Sequence, residues 1–431
     1  MTGQVHAVTV PGDKSISHRA LLIAALAPGS STIRGLPEGR DVRNTASALA
    51  AMGVAIDWER DTGRAVVTPP SCWPVEPLHL DCGNSGTSAR LLAGLTAGLG
   101  VPARIDGDHS LRSRPMDRVV YPLQAMGARI RYAAERDRLP IEMEARLSGS
   151  LRVLRYRARV SSAQVKSALV LAALADGVEF ELWEPGRSRD HTERLLEHLG
   201  VPLSFGPGDA GSHLKLDAGG LSGLRTLDLR IPGDPSSAAF LITAAVLGGR
   251  RLRVDDVLLN PTRIGFLHML EQMGVDVEID PGDDRAGEPV GTVSVAGGLL
   301  RGVQIGAQHV PSLVDEIPLL AVLAVYADGV TAISGAGELR VKESDRLSVI
   351  AENLKALGAS VEETPDGLLI EGTPDLVPRG TVRTLGDHRI AMAFACLSSI
   401  SGSEIVTDDP ECVAVSYPGF WEDCAAVGAG R

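Results

Sequence analysis

The chain has 431 residues, 42 Lys plus Arg against 54 Asp plus Glu, a net charge of −12 and only 3% aromatic side chains. That length predicts two or three domains. An acidic chain poor in stacking side chains argues against nucleic acid or an anionic membrane surface as partner. No apolar run reaches the roughly 18 residues a membrane helix needs. The opening MTGQVHAVTV has neither a charged nor an apolar leader segment, so a cytoplasmic protein is expected.

The first predicted element is a strand within 1–12, followed by the turn PGDK and an alanine-rich apolar run opening near Ser17. Five further runs of this kind open near Gly86, Ser162, Pro235, Val314 and Asp387, at steps of 69, 76, 73, 79 and 73 residues. Each leads through a small turn into a β-branched or charged strand. A second helix series rides on the same period. Its members end on Gly53, Gly127, Gly200, Gly274, Gly358 and Gly428, where a left-handed cap favours a residue without Cβ.

The pattern predicts six α/β copies of about 72 residues (431/6), grouped as two similar halves. One domain should comprise 14–231 and the other 1–13 plus 232–431, with a hinge where 11–15 and 231–235 cross. The frame PGDKSISHRA returns 221 residues later as PGDPSSAAF, with Pro235 in place of Lys14 and Phe240 in place of Arg19.

Polar motifs gather where the first-series helices begin. They include Lys14, Ser15 and Arg19; Asn84 to Arg90 in GNSGTSAR; Ser161, Ser162, Gln164 and Lys166 in SSAQVKS; Asp315 and Glu316; and Asp387 to Arg389. Helix N-termini bind anions through unpaired N–H groups. Ser, Thr and Asn there are equally plain N-caps. Cations at such positions cost roughly 0.3–1 kcal/mol, so Lys14, Arg19, Arg90 and Arg389 point to an external anion. DHSLRSRPMDR (108–118) reads as an arginine loop, and ELRVKESDR (338–346) as a charged stretch or a salt-bridged helix start. Together these cations would line an electropositive cleft for small, multiply anionic ligands, with Asp315 and Glu343 as proton-transfer groups. The five cysteines and ten histidines show no metal-ligand spacing, and no phosphate-binding glycine loop is present, so no metal and no cofactor are expected.

The motifs PGDKSISHRA, GNSGTSAR, RSRPMDR, SAQVKSAL, SRDHTERLLEHLG, VDEIPLLAVLA, ELRVKESDRL and GDHRIAMAFA, in this order, resemble the 3-phosphoshikimate 1-carboxyvinyltransferase (EPSP synthase) family. SAQVKS, RDHTE and VSYP resemble its second bacterial class. The resemblance implies two inside-out α/β domains of three βαβαββ-type repeats each. It also implies transfer of enolpyruvyl from phosphoenolpyruvate to the 5-hydroxyl of shikimate 3-phosphate, in the shikimate pathway, by a monomer that glyphosate inhibits.

Carried over by motif, the resemblance assigns shikimate 3-phosphate to Lys14, Ser15, Arg19, Ser161, Ser162, Gln164, Arg189, Asp315 and Lys342. It assigns phosphoenolpyruvate to Lys14, Gly86, Arg114, Gln164, Arg346 and Arg389, and catalysis to Asp315, Glu343, Lys342 and Lys14. The chain departs from the pattern at Val415, where many relatives have lysine, and at Glu338, where many have asparagine. The sister UDP-N-acetylglucosamine enolpyruvyl transferases carry a loop cysteine where this chain has His109. A non-catalytic anion-binding protein on the same scaffold would lack Asp315, Lys342 and Glu343, which are all present.

Overall fold

A computed structural model describes residues 5–147, 149–208 and 211–428. Six leading helices mark the repeats: α1 (Lys14–Ala24), α2 (Gly86–Leu99), α3 (Ala163–Asp176), α4 (Pro235–Leu247), α5 (Ile317–Ala324) and α6 (His388–Ala395). Five begin on a side chain that accepts a backbone N–H of the first turn: Asp13, Ser85, Ser162, Asp234 and Asp387. The short polar residue at each of these five starts is therefore a cap. The second helix series ends as the spacing predicts. Gly53, Gly127, Gly200, Gly274, Gly358 and Gly428 all take φ between +88° and +103°.

The chain divides into two compact units. Asp13–Ile231 with Arg285–Glu288 forms one, and Pro232–Asp284 with Pro289 onward and the chain up to Gly12 forms the other. Among the described residues each contains three sheets. In five of the six sheets, a parallel strand pair continues into an antiparallel hairpin; the sixth is the parallel pair Arg379–Val382 with Glu404–Thr407. Two strands arrive from far along the chain. Val5–Thr9 pairs parallel with Arg251–Leu258, and Asp228–Arg230 pairs parallel with Ser31–Arg34.

Helices α2 and α3 run side by side, buried on nearly all faces. Glycine makes their close approach possible. A Cβ at Gly94 would stand 2.0 Å from the Ala168 carbonyl oxygen, and one at Gly98 would stand 2.5 Å from that of Ala172. Because the helices are parallel and this close, their N-terminal turns meet, which brings Thr87 and Gln164 within hydrogen-bonding distance. In the other unit, α4 is almost wholly buried. Phe240 packs edge-on to Phe420 with ring centroids 6.0 Å apart, so the position that holds Arg19 in the first repeat belongs to the core in the fourth.

The loop predicted at 108–118 contains one helical turn, His109–Arg112, because Asp108 caps it by accepting the Leu111 N–H at 2.8 Å. Among the described residues, no helix is long and apolar enough to cross a membrane.

Candidate functional site

In the first unit, Lys14 opens α1 and its ammonium donates to Asp41 at 2.7 Å. Asp41 lies in the first turn of the helix Arg40–Ala51. Arg19 is 3% exposed and donates to four neutral acceptors. They are Thr192 at 2.8 Å, Ser167 at 2.8 Å, and the carbonyls of Ser15 at 2.9 Å and Ala163 at 3.4 Å. Burial lowers the Arg19 pKa to about 10, against the pull of Glu193 and Asp13.

The N-terminal turns of α2 and α3 form one hydrogen-bonded group. Arg90 donates to Gln164 Oε1 at 2.9 Å and to the Pro115 carbonyl at 3.0 Å, and Gln164 donates to Thr87 at 2.9 Å. Arg114, 6% exposed, donates to Asn84 Oδ1 at 2.6 Å. Gly86 sits between the two arginines. A Cβ there would lie 2.6 Å from Arg90 Nη1 and 3.3 Å from Arg114 Nη1.

At the start of α3, Ser161 exchanges hydrogen bonds with the Gly186 backbone, and the Ser162 N–H donates to Glu184 at 2.8 Å. Arg189, half-buried, follows the strand Phe180–Glu184, and its charge acts on Arg19. Lys166 is 4% exposed between Glu184 at 3.1 Å and Glu193 at 2.7 Å. Burial alone would lower its pKa, but the two carboxylates raise it. Lys166 is thus an internal counter-ion.

In the other unit, Arg346 is the hub. It is 1% exposed and donates to Asp387 at 2.8 Å and Glu343 at 2.5 Å, with Asp315 at 3.7 Å. Burial would lower its pKa, yet Asp387 and Glu343 beside it hold it above the usual range. Arg389 donates to the Asp315 carbonyl at 3.2 Å and pairs with its carboxylate at 3.5 Å. Lys342 lies one turn from Glu338, 3.5 Å away. The unit therefore brings together Asp315, Glu343, Arg346 and Arg389. Val415 lies half-buried in the 3-10 segment Pro410–Val415.

The cations that pointed to an external anion each have internal acceptors. Asp41 serves Lys14, carbonyls and hydroxyls serve Arg19 and Arg90, and Asp315 serves Arg389. Sequence reasoning missed Asp41, Glu184 and Thr192 because their partners are 27, 18 and 173 residues away. Asp190, His191 and Glu288 lie within 4.8 Å of one another. Arg187 and Arg194 already pair with Asp190, and His191 pairs with Glu288, so this cluster is built as an ion-pair network.

Chemically, the first group offers helix N-termini and guanidiniums to oxyanions. The second offers carboxylates oriented by guanidiniums for proton transfer. The chain matches the model of the family EPSP synthase (3-phosphoshikimate 1-carboxyvinyltransferase) over residues 2–424. The chain belongs to the EPSP synthase family. It is 46% identical to the 3-phosphoshikimate 1-carboxyvinyltransferase of Thermus thermophilus over 97% of this chain and 96% of that protein. The enzyme of the same name from Synechococcus sp. is 45% identical over 97% of this chain and 95% of that protein.

Among solved structures, EPSP synthase from Acinetobacter baumannii superposes with a TM-score of 0.83 at 35% identity, covering 99% of this chain and 96% of that one. The enolpyruvyl transferase NikO from Streptomyces tendae shares the fold, with a TM-score of 0.77 at 19% identity over 99% and 95% of the two chains. The mixed α/β architecture is the enolpyruvyl transferase fold.

Proposed function

We propose that this member of the EPSP synthase family transfers the enolpyruvyl group of phosphoenolpyruvate to the 5-hydroxyl of shikimate 3-phosphate and releases phosphate. The observation that carries the reading is the Asp315 carboxylate held beside the guanidiniums of Arg346 and Arg389, on a chain that matches the family from residue 2 to 424. In this reading Asp315 accepts the 5-hydroxyl proton as the oxygen attacks C2 of phosphoenolpyruvate. A proton is delivered to C3, giving a tetrahedral intermediate. Loss of phosphate and of a C3 proton then restores the enol ether. Lys342 and Glu343 handle these protons, and Arg346 and Arg389 hold the phosphoenolpyruvate oxyanions, with Lys14, Gly86, Arg114 and Gln164 as further contacts.

Shikimate 3-phosphate is assigned to Lys14, Ser15, Arg19, Ser161, Ser162, Gln164 and Arg189, with Asp315 and Lys342. The open N-terminal turn of α3, where Ser161, Ser162 and Gln164 are all half-buried, suits a phosphate. Domains of 14–231 and of 1–13 plus 232–431, a monomer in the cytoplasm and inhibition by glyphosate complete the reading.

The test is phosphate release from the protein mixed with shikimate 3-phosphate and phosphoenolpyruvate. Release with these substrates, and none with UDP-N-acetylglucosamine as acceptor, is expected. The reverse would assign the sister reaction, and no release with either acceptor would overturn the enzymatic reading. Asp315→Asn should lower kcat by about 100-fold or more, the usual worth of a positioned general base.

A further inference from the structure

The Arg19 guanidinium is buried, yet among the described residues no carboxylate pairs with it. Nε donates to Thr192 Oγ1 at 2.8 Å and Nη2 to Ser167 Oγ at 2.8 Å, and these two hydroxyls lie 2.7 Å apart. Further N–H groups reach the carbonyls of Ser15 and Ala163, both half-buried at the starts of α1 and α3. Neutral acceptors fix the plane of the fork and leave its charge uncancelled. A buried cation without a counter-ion is costly.

A counter-ion is nevertheless at hand. Glu193 follows Thr192 on the helix His191–His198, and of the surrounding charges its own acts most strongly on Arg19. Its Oε2 accepts no hydrogen bond among the described residues, so the carboxylate keeps capacity for a guanidinium N–H. Lys166 holds it instead. The ammonium meets Glu193 Oε1 at 2.7 Å and Glu184 Oε2 at 3.1 Å, with all three side chains buried. The helix His191–His198 and α3 thus meet through two adjacent pairs, Ser167 with Thr192 and Lys166 with Glu193. The first pair aims the Arg19 guanidinium, and the second occupies the carboxylate that would neutralise it.

We propose that Lys166 is a positioning residue for substrate binding. By holding Glu193 in an internal ion pair, it leaves the charge of Arg19, aimed by Thr192 and Ser167, to an oxyanion at the half-open starts of α1 and α3. The inference rests on the assignment of shikimate 3-phosphate to Ser15, Arg19, Ser161 and Ser162. Charge acts through space and most strongly where water is excluded, so the effect does not require an exposed guanidinium.

Calorimetric titration of the full chain with shikimate 3-phosphate, beside steady-state kinetics, tests the inference. Lys166→Met should raise Kd and KM for shikimate 3-phosphate at least about tenfold, with kcat and the KM for phosphoenolpyruvate changed less than about threefold. Lys166→Met combined with Glu193→Leu should return both to within about threefold of the parent, because the opposing charge is gone and apolar side chains commonly replace a buried ion pair without loss of stability. In that double variant Glu184 keeps the Ser162 N–H and the Ser188 hydroxyl. If Lys166→Met folds poorly, Thr192→Asp puts the same question with the ion pair intact. It sets a carboxylate against Arg19 and should weaken shikimate 3-phosphate binding at least about tenfold, whereas Thr192→Asn, alike in shape and uncharged, should stay within about threefold of the parent. Unaltered affinity in Lys166→Met or Thr192→Asp, no recovery in the double variant, a parallel rise in the KM for phosphoenolpyruvate, or equal losses in Thr192→Asp and Thr192→Asn would overturn the inference alone. A parent that neither binds shikimate 3-phosphate nor releases phosphate would overturn the proposed function, and this inference with it.

Discussion

The ammonium of Lys14 stands 2.7 Å from the Asp41 carboxylate, and both are largely buried at 18% and 6% side-chain exposure. The fourth repeat holds the same relationship with its signs reversed. There the anion, Asp234, precedes the leading helix, and the cation, Arg263, comes from the following segment, donating to Asp234 at 3.0 Å and to Ser236 at 3.1 Å. Pro235 and Phe240 thus stand in a copy whose helix start is also ion-paired, by a cation from further along the chain. Lys14 differs because its side chain keeps 18% exposure, whereas that of Arg263 is 2% exposed.

Under the proposed function, Lys14→Ala should lower kcat/KM by at least about 100-fold, roughly 2.7 kcal/mol of transition-state stabilisation. Asp41→Asn, which keeps the side-chain shape and leaves the ammonium without its counter-ion, should lower it about tenfold through positioning. Steady-state kinetics of both variants decide; Asp41→Asn indistinguishable from the parent would mean that the pair does not prepare Lys14 for substrate.

Gly86→Ala places a methyl 2.6 Å from Arg90 Nη1 and 3.3 Å from Arg114 Nη1. Both neighbours are ends of flexible side chains, so the fold should absorb the change while the guanidiniums move. The expected result is a KM for phosphoenolpyruvate raised about tenfold, with inhibition by glyphosate weakened in parallel and Tm unchanged. A large loss of Tm without a KM effect would assign Gly86 to packing.

Gly94→Ala meets backbone, since its methyl would lie 2.0 Å from the Ala168 carbonyl oxygen. The helices must separate, at a cost of about 1–3 kcal/mol or more, and Tm should fall by about 2–4 °C per kcal/mol. Separation also pulls Thr87 away from Gln164, so KM for both substrates should rise. Calorimetry beside kinetics checks both effects, and an unaltered Tm would refute the close-packed seam.

His18 is buried, bonded through Nδ1 to Thr45 at 2.7 Å, and its pKa is pushed well below 6.5 by burial and then by Lys14 and Arg19. Between that lowered value and 6.5 the unfolded chain binds the extra proton. Stability therefore falls on acidification, by up to about 1.4 kcal/mol per pH unit. His18→Gln should remove this share, so the parent should lose about 2–5 °C more Tm than the variant between pH 7 and 5.5. Equal losses would show that His18 does not drive the acid sensitivity.

The sequence by itself determined the repeats, because periodicity and caps are local. Apolar runs must bury a helix face, and Gly53 and its five counterparts can close a helix in the left-handed region at little cost. It also marked the candidate site residues, since most of them lie in short contiguous motifs at or near helix starts. Tertiary structure alone decided which charges meet. Asp41 reaches Lys14, Glu184 and Glu193 enclose Lys166, and Asp387 joins Arg346 only after separate elements pack. Coulomb energy depends on distance and burial, and neither can be read from spacing along a chain. PGDKSISHRA announced a cation at a helix start; the fold decided that Asp41 pairs with it.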